Sequence, residues 1–390
     1  MENNILLFLG SGVSFPSGLP DTKTITEKIL IEKWHKHTDM NFYEGEHPNE
    51  HYRQYDITPK IQKFLIILKE FSDPYFLSRR ESETNYEDLF YICQQIEDNE
   101  FLEIDNPLIV PFIRKLKFKL IGMNIFTPTP NIGIIDLKDL SEQSIRLIEC
   151  VVWHSLYFDG EPIGLDLILE LKENIKFIDI ATLNHDLLIE KFLLKNNINY
   201  VDGFGPPKGQ IRYFDPTVYD NDSEVKLFKL HGSLNWHLFR ISENNLTVYK
   251  YGLALENDIW HLKNENGHYV DILDSKPLFL TGSYNKLLDY NFGIYRNMQS
   301  KFDQALARNK VIIMSGYGWN DRGINGRIFE WLSHSSNNRL ILLHERPEDL
   351  KRYSRSALWH KYDNSVKTGK LISIKKWLSN VSFSEISEYL

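Results

Sequence analysis

The sequence predicts an α/β protein, a Rossmann-like, mostly parallel sheet with a large all-helical insertion after the first β–α unit. Three observations predict it. Short, continuous apolar runs recur at Ile5–Leu9, Lys176–Ala181, Val225–Leu230, Val311–Met314 and Leu340–Leu343, as expected of strands buried on both faces. Most lead through polar or glycine-containing turns into segments with helical spacing, the signature of an open parallel sheet. Between the first two runs, residues 58–158 show helical periodicity and no strand-like alternation.

The first run ends in Gly10-Ser11-Gly12-Val13-Ser14, and Thr24–Trp34 then places Ile25, Ile29 and Leu30 at helical spacing. Glycines at such a turn let backbone N–H groups approach a pyrophosphate closely. A tight structural turn explains a lone Gly-x-Gly equally well, and Phe15 stands where a third glycine would complete the dinucleotide fingerprint. Residues 35–56 are polar. The irregular spacing of His35, His37, His47 and His51 fits a solvated insertion loop better than a metal site.

In the helical stretch, Ile61, Phe64, Leu65, Ile67 and Leu68 form one apolar face, and Tyr86, Leu89, Phe90 and Cys93 another. Thr84 or Asn85 is a cap for the second helix. Ile109–Ile121 carries Arg114, Lys115, Lys117 and Lys119, read as a solvated face. Thr127–Asn131 is a break, and Leu140–Phe158 resumes the helix with Ser141 as its cap. Alternation returns with helices at Leu165–Leu171 and Leu187–Leu194 and a short strand at Asn199–Asp202. Residues 240–275 read as aromatic-rich hairpins. Helices follow at Tyr295–Ala307, Ile324–Leu332 and Glu348–Tyr353. The expected domains are therefore 1–34 with 165–390, and 35–164.

The chain of 390 residues is 42% hydrophobic and 25% charged with a net charge of −8, an ordinary globular composition with no general drive toward nucleic acid or anionic membrane. No apolar stretch reaches the roughly 18 residues of a membrane span. A strand beginning within the first five residues leaves no room for a signal peptide, so a cytoplasmic protein is expected. The only cysteines, Cys93 and Cys150, make no four-cysteine zinc site and read as buried thiols.

Chemistry-bearing residues gather where strands end. Thr182-Leu183-Asn184-His185-Asp186 closes one run, Leu230-His231-Gly232-Ser233 another and Ser315-Gly316-Tyr317-Gly318 a third. Ligands of open α/β sheets bind at such carboxyl ends. Asn184 or Asp186 taken alone is explained by capping of the next helix, and a histidine before glycine is by itself most often structural. A histidine base and a placed carboxylate together suit cleavage of a glycosidic bond through an oxocarbenium-like state.

Residues 10–21, Gly-Ser-Gly-Val-Ser-Phe-Pro-Ser-Gly-Leu-Pro-Asp, resemble the first NAD-binding motif of the Sir2 (sirtuin) family, with Thr22-Lys23 in place of its Phe-Arg. Thr182–Asp186 is similar to that family's Thr-Gln-Asn-Ile-Asp, and Leu230–Ser233 to its catalytic His-Gly. Ser315-Gly316 falls where sirtuins carry the Gly-Thr-Ser that meets the adenosine half of NAD. The resemblance covers roughly 1–34 and 165–350. It implies a sirtuin-like fold with NAD+ as substrate and no metal. Gly10, Ser11, Gly12, Ser14, Pro20, Asp21, Thr182, Ser315, Gly316 and Asn325 would bind it. Asn184 would hold the nicotinamide-side ribose, Asp186 the nicotinamide carboxamide, and His231 would be the general base.

The departures narrow the expectation further. This chain has no zinc-binding cysteines and no Phe-Gly-Glu substrate loop at Leu278–Tyr284, and its Gly316–Asn325 segment is similar to one in Sir2-like NADases of bacterial antiphage defence. The resemblance therefore implies an NAD+ glycohydrolase, acting as a homo-oligomer with a separately encoded activator such as a HerA-type ATPase. The alternatives are a non-catalytic NAD or ADP-ribose sensor and, ranked lower, an NAD-dependent protein deacylase.

Overall fold

The computed structural model describes residues 4–37, 41–53, 55–102, 106–123, 125–126, 136–243, 246–256, 258–282, 286–354 and 357–390. The expected break at Thr127–Asn131, and the end of the Leu278–Tyr284 stretch, lie outside them. The chain divides into two compact units. One comprises Met1–Leu19, Leu156–Leu280 and Leu287–Leu390, the other Pro20–Ser155 and Thr281–Lys286.

In the first unit six strands form one parallel sheet: β1 (Asn4–Leu9), β2 (Phe177–Thr182), β3 (Val225–Lys229), β4 (Val311–Ser315), β5 (Arg339–Leu343) and β6 (Leu371–Ile374). Their order is β6-β5-β4-β1-β2-β3, the doubly wound arrangement in which the chain reverses direction between β1 and β4. All neighbours run parallel. Their register aligns Lys229, Thr182, Leu9, Ser315, Leu343 and Ile374 in a single row at the carboxyl edge.

The apolar runs are continuous because both faces are covered. Leu6, Phe8, Phe228, Ile312 and Met314 pack with Met298, Phe302, Ile324 and Ile328, from the helices α1 (Gly293–Arg308) and α2 (Arg322–His334). Ile5, Leu7, Leu9, Ile180 and Leu227 pack with Ile168, Leu171, Ile189 and Phe192, from helices Leu167–Asn174 and Leu188–Lys195.

Three elements differ from expectation. The strand read at Asn199–Asp202 shrinks to a single parallel bridge between Val201 and Lys226. A helix at Ala357–Lys367 and the edge strand β6 extend the series beyond Leu343. The aromatic region does form a hairpin, Trp236–Glu243 with Leu246–Ala254, within a five-stranded antiparallel sheet that also holds Phe204–Lys208, Ile211–Phe214 and Asp271–Ile272.

The second unit carries helices Thr22–Ile31, Thr58–Arg80, Tyr86–Phe101, Val110–Gly122 and most of Leu137–Leu156. The first of these belongs with the helices rather than with the sheet. Gln62 Nε2 donates to the carbonyls of Ile29 and Glu32, and Thr26 Oγ1 accepts from the Tyr86 N–H. This places the division at Leu19/Pro20 and Ser155/Leu156 rather than at 34/35 and 164/165. Asn85 is the cap of its helix, with Asp88 completing a capping box. Ser141 is not a cap. It lies inside its helix and donates to the Leu137 carbonyl.

The histidine stretch is no solvated loop but a two-stranded hairpin, Trp34–Lys36 with Phe42–Glu44. Phe42 is fully buried, and the His35 and His37 rings lie 5.2 and 6.2 Å from that of His47. Cys93 and Cys150 are buried, and burial pushes the Cys93 thiol well up. Among the described residues no helix is long and apolar enough to cross a membrane.

Candidate active site

Each strand of the central row releases its chain into the site one residue further on. After β1 comes Gly10 and then a 3-10 segment, Ser11–Ser17. This replaces the expected direct passage from turn to α-helix. The turn interlocks with the one after β4. Gly10 N–H donates to the Ser315 carbonyl (3.0 Å), and Gly12 N–H to that of Gly316 (2.9 Å). A Cβ on Gly10 would lie 2.5 Å from the Gly316 oxygen, and one on Gly12 2.8 Å from the Gly316 Cα. Glycine is required here because two backbones touch. The N–H groups of Gly10, Gly12 and Val13 are spent inside the protein, so the phosphate cradle read from the sequence does not include them.

The loop after β2 binds to that turn. Asn184 Nδ2 donates to the Gly10 carbonyl (3.2 Å) and to Ser14 Oγ (3.1 Å), and Ser14 Oγ donates to Asp186 Oδ2 (3.0 Å). Asp186 Oδ1 accepts from the Leu188 N–H, and Thr182 Oγ1 from the Asn184 N–H. Asp186 therefore ties the entry of the next helix, whose N-cap position is Leu187, to Ser14. Asn184, 5% exposed, keeps one atom aside: its Oδ1 is buried with no hydrogen-bond partner among the described residues. Such an orphaned acceptor costs free energy until a donor satisfies it.

His231 follows β3, held by a tight turn. Gly232 has φ +86°, and a Cβ there would lie 2.2 Å from the Leu278 oxygen. The backbone is pinned by Leu280 N–H to the His231 carbonyl and by Leu234 N–H to that of His185. His231 Nε2 lies 2.6 Å from Tyr290 Oη and 3.1 Å from Asp321 Oδ2, and the Tyr290 hydroxyl donates to the same Asp321 oxygen at 2.5 Å. Burial and then Asp321 hold the Tyr290 phenol well above its ordinary pKa, so it stays a donor. Nε2 is thus the ring nitrogen that faces both Tyr290 and Asp321. The His185 ring lies 6.2 Å from that of His231.

Asp321 is itself fixed as the cap of α2 through Ile324 N–H. Asn325 braces the loop before it, donating to the Trp319 carbonyl and accepting from Tyr317 Oη. Ser315 Oγ donates to the Leu343 carbonyl. The geometry thus brings together Gly10, Ser11, Gly12, Ser14, Thr182, Asn184, Asp186, His231, Ser315, Gly316 and Asn325. Pro20 and Asp21 belong to the other unit, where Asp21 caps its helix by accepting from the Thr24 N–H at 2.7 Å.

Two residues of the His231 cluster were not legible as site residues. Asp321 carried a signal, an aspartate three positions before apolar Ile324 in a helix, but that signal speaks for capping alone. Tyr290 carried none.

The α/β sheet thus presents a histidine, an asparagine and two glycine turns at its reversal point. Residues 179–366 match the family described as the SIR2-like domain. Among solved structures, a histidine-to-asparagine mutant of a Sir2 homologue with ADP-ribose is 11% identical. It covers 99% of this chain and 91% of its own, with a TM-score of 0.36. A Sir2 homologue–NAD complex is 10% identical, with coverages of 99% and 89% and a TM-score of 0.37. Sir2 bound to an acetylated peptide is 9% identical, with coverages of 98% and 92% and a TM-score of 0.35. No curated protein matches the chain.

Proposed function

We propose that the protein is an NAD+ glycohydrolase that releases nicotinamide and ADP-ribose. The observation that carries this reading is the buried, unsatisfied Asn184 Oδ1 beside the Gly10–Ser14 turn, which a ribose hydroxyl would satisfy as donor. The chemistry balances with water as acceptor. The bond between the ribose carbon and the pyridinium nitrogen breaks, and its electron pair leaves on nicotinamide. The resulting oxocarbenium-like carbon takes the oxygen of water, whose proton passes to the His231 imidazole. Asp321 and Tyr290 hold the ring through Nε2 and would stabilise the imidazolium. Ser11, Ser14, Ser315 and Gly316 would line the nucleotide's path.

Two buried thiols in place of a zinc module argue against an acyl-lysine acceptor. Depletion of NAD+ in antiphage defence, as a homo-oligomer switched by a HerA-type ATPase, is the physiological setting that the Gly316–Asn325 resemblance supports. The test is nicotinamide release from NAD+ by the purified protein, with and without the product of the neighbouring gene. His231→Ala and Asn184→Ala should each lower turnover by about 10²-fold or more. Tight NAD+ binding without turnover under every condition would instead assign a sensor.

A further inference from the structure

Two ionisable groups beneath the site take no part in the chemistry above. Lys229, the last residue of β3, is 3% exposed, and its Nζ lies 2.8 Å from Glu190 Oε1. The same ammonium donates to the carbonyl of Asp186 and, at 3.4 Å, to that of His185. Its three protons thus meet three acceptors. Glu190 is half-buried, and its covered Oε2 has no hydrogen-bond partner among the described residues. Burial pushes the Glu190 carboxyl up, against the downward pull of Lys229.

An ion pair this deep is a poor device for stability alone, because desolvation cancels much of its attraction and apolar residues of similar volume serve as well. What it does here is local. The two backbone carbonyls it holds directly follow Asn184. The His185 carbonyl also receives the Leu234 N–H and, at 3.5 Å, the Ser233 hydroxyl. That one oxygen joins the Asn184 loop to the turn carrying His231, and Lys229 stands two residues before His231.

We propose that Lys229, neutralised by Glu190, is a positioning residue that fixes the Asn184–Asp186 backbone against the His231 turn. Its part in catalysis rests on the NAD+-cleavage reading, whereas its part in ordering the loop does not. Lys229 touches no reacting atom. It acts through the carbonyls that set where Asn184 and Asp186 stand.

The test removes both charges together, so that no lone charge is left buried. In ligand-free Lys229→Met/Glu190→Leu, amide hydrogen exchange of Asn184 and Leu188 should quicken by about tenfold or more. Exchange in β2, at Ile178–Ala181, should not change. For NAD+ cleavage, kcat should fall by about tenfold or more while KM stays within about threefold. Unchanged exchange at Asn184 and Leu188 in the folded variant overturns the proposal. So does an equal acceleration across β2, which would mean a purely structural pair. If the double variant does not fold, Lys229→Met/Glu190→Gln, which also leaves no lone charge, gives the same comparison. If the wild type releases no nicotinamide, the cleavage reading fails and the exchange result still decides the positioning.

Discussion

At the scale of single residues, the site is built from side chains that hold one another before any ligand arrives. Ser14 is the hinge of one cluster, accepting from Asn184 and donating to Asp186. Asp321 is the hinge of the other, fixed by α2 and shared by His231 and Tyr290. Because the Asp321 carboxylate faces His231 Nε2 at 3.1 Å, Asp321→Asn should lower kcat for NAD+ cleavage by about 10²–10⁴-fold with little change in KM. A pre-steady-state assay of nicotinamide release checks this, and a rise in KM alone would give Asp321 a binding role instead. What was legible in the sequence at this scale was the polar residue at each strand end, since Asn184 lies three positions and His231 one position past an apolar run. Tyr290 reaches His231 from 59 positions away, in a stretch with no periodicity or turn signature, and only the folded chain brings them together. Lys229 hid for another reason: a lysine ending an apolar strand reads as a solvated terminus, not as a buried clamp.

At the scale of elements, the interlocked turns after β1 and β4 set the shape of the reversal point. Gly316 has φ +69°, and a Cβ there would lie 2.6 Å from the Val13 nitrogen and 2.8 Å from the Gly10 oxygen. Gly316→Ala should therefore destabilise the fold by about 2–4 kcal/mol, seen as a lowered urea midpoint with unchanged slope. An unaltered midpoint would mean that the two turns are not in contact. The central strands were legible because burial on both faces leaves uninterrupted apolar runs. β6, Leu371-Ile372-Ser373-Ile374, was not, since four residues at a sheet edge with a serine among them carry too little signal. The hairpin at Trp34–Glu44 escaped for a related reason, its histidines counting as polar in a sequence although their rings pack against that of His47, His35 edge-on and His37 stacked.

At the scale of the whole molecule, acid stability follows from a histidine that is buried neutral, His237. Burial drives the pKa of His237 down to about 4 from an ordinary 6.5, and His154 and His344 are lowered in the same direction. The unfolded chain takes up a proton on His237 below about pH 6.5 that the folded protein refuses until about pH 4. Stability present above pH 6.5 should thus be lost as the pH falls toward 4, by about 3 kcal/mol from this residue. Urea titrations across that range check the sign, and His237→Phe should flatten the slope.

The central position of β1 has a consequence for how the chain is made. Its two neighbours begin at Phe177 and Val311, so during synthesis the segment Asn4–Leu9 leaves the ribosome long before either partner exists. At translation rates of about 5–20 residues per second, its apolar edges stay unpaired for on the order of ten seconds or more. The helices encoded between β1 and β2 can assemble during that wait, while the nascent strand depends on chaperones or the ribosome surface to keep it from aggregating.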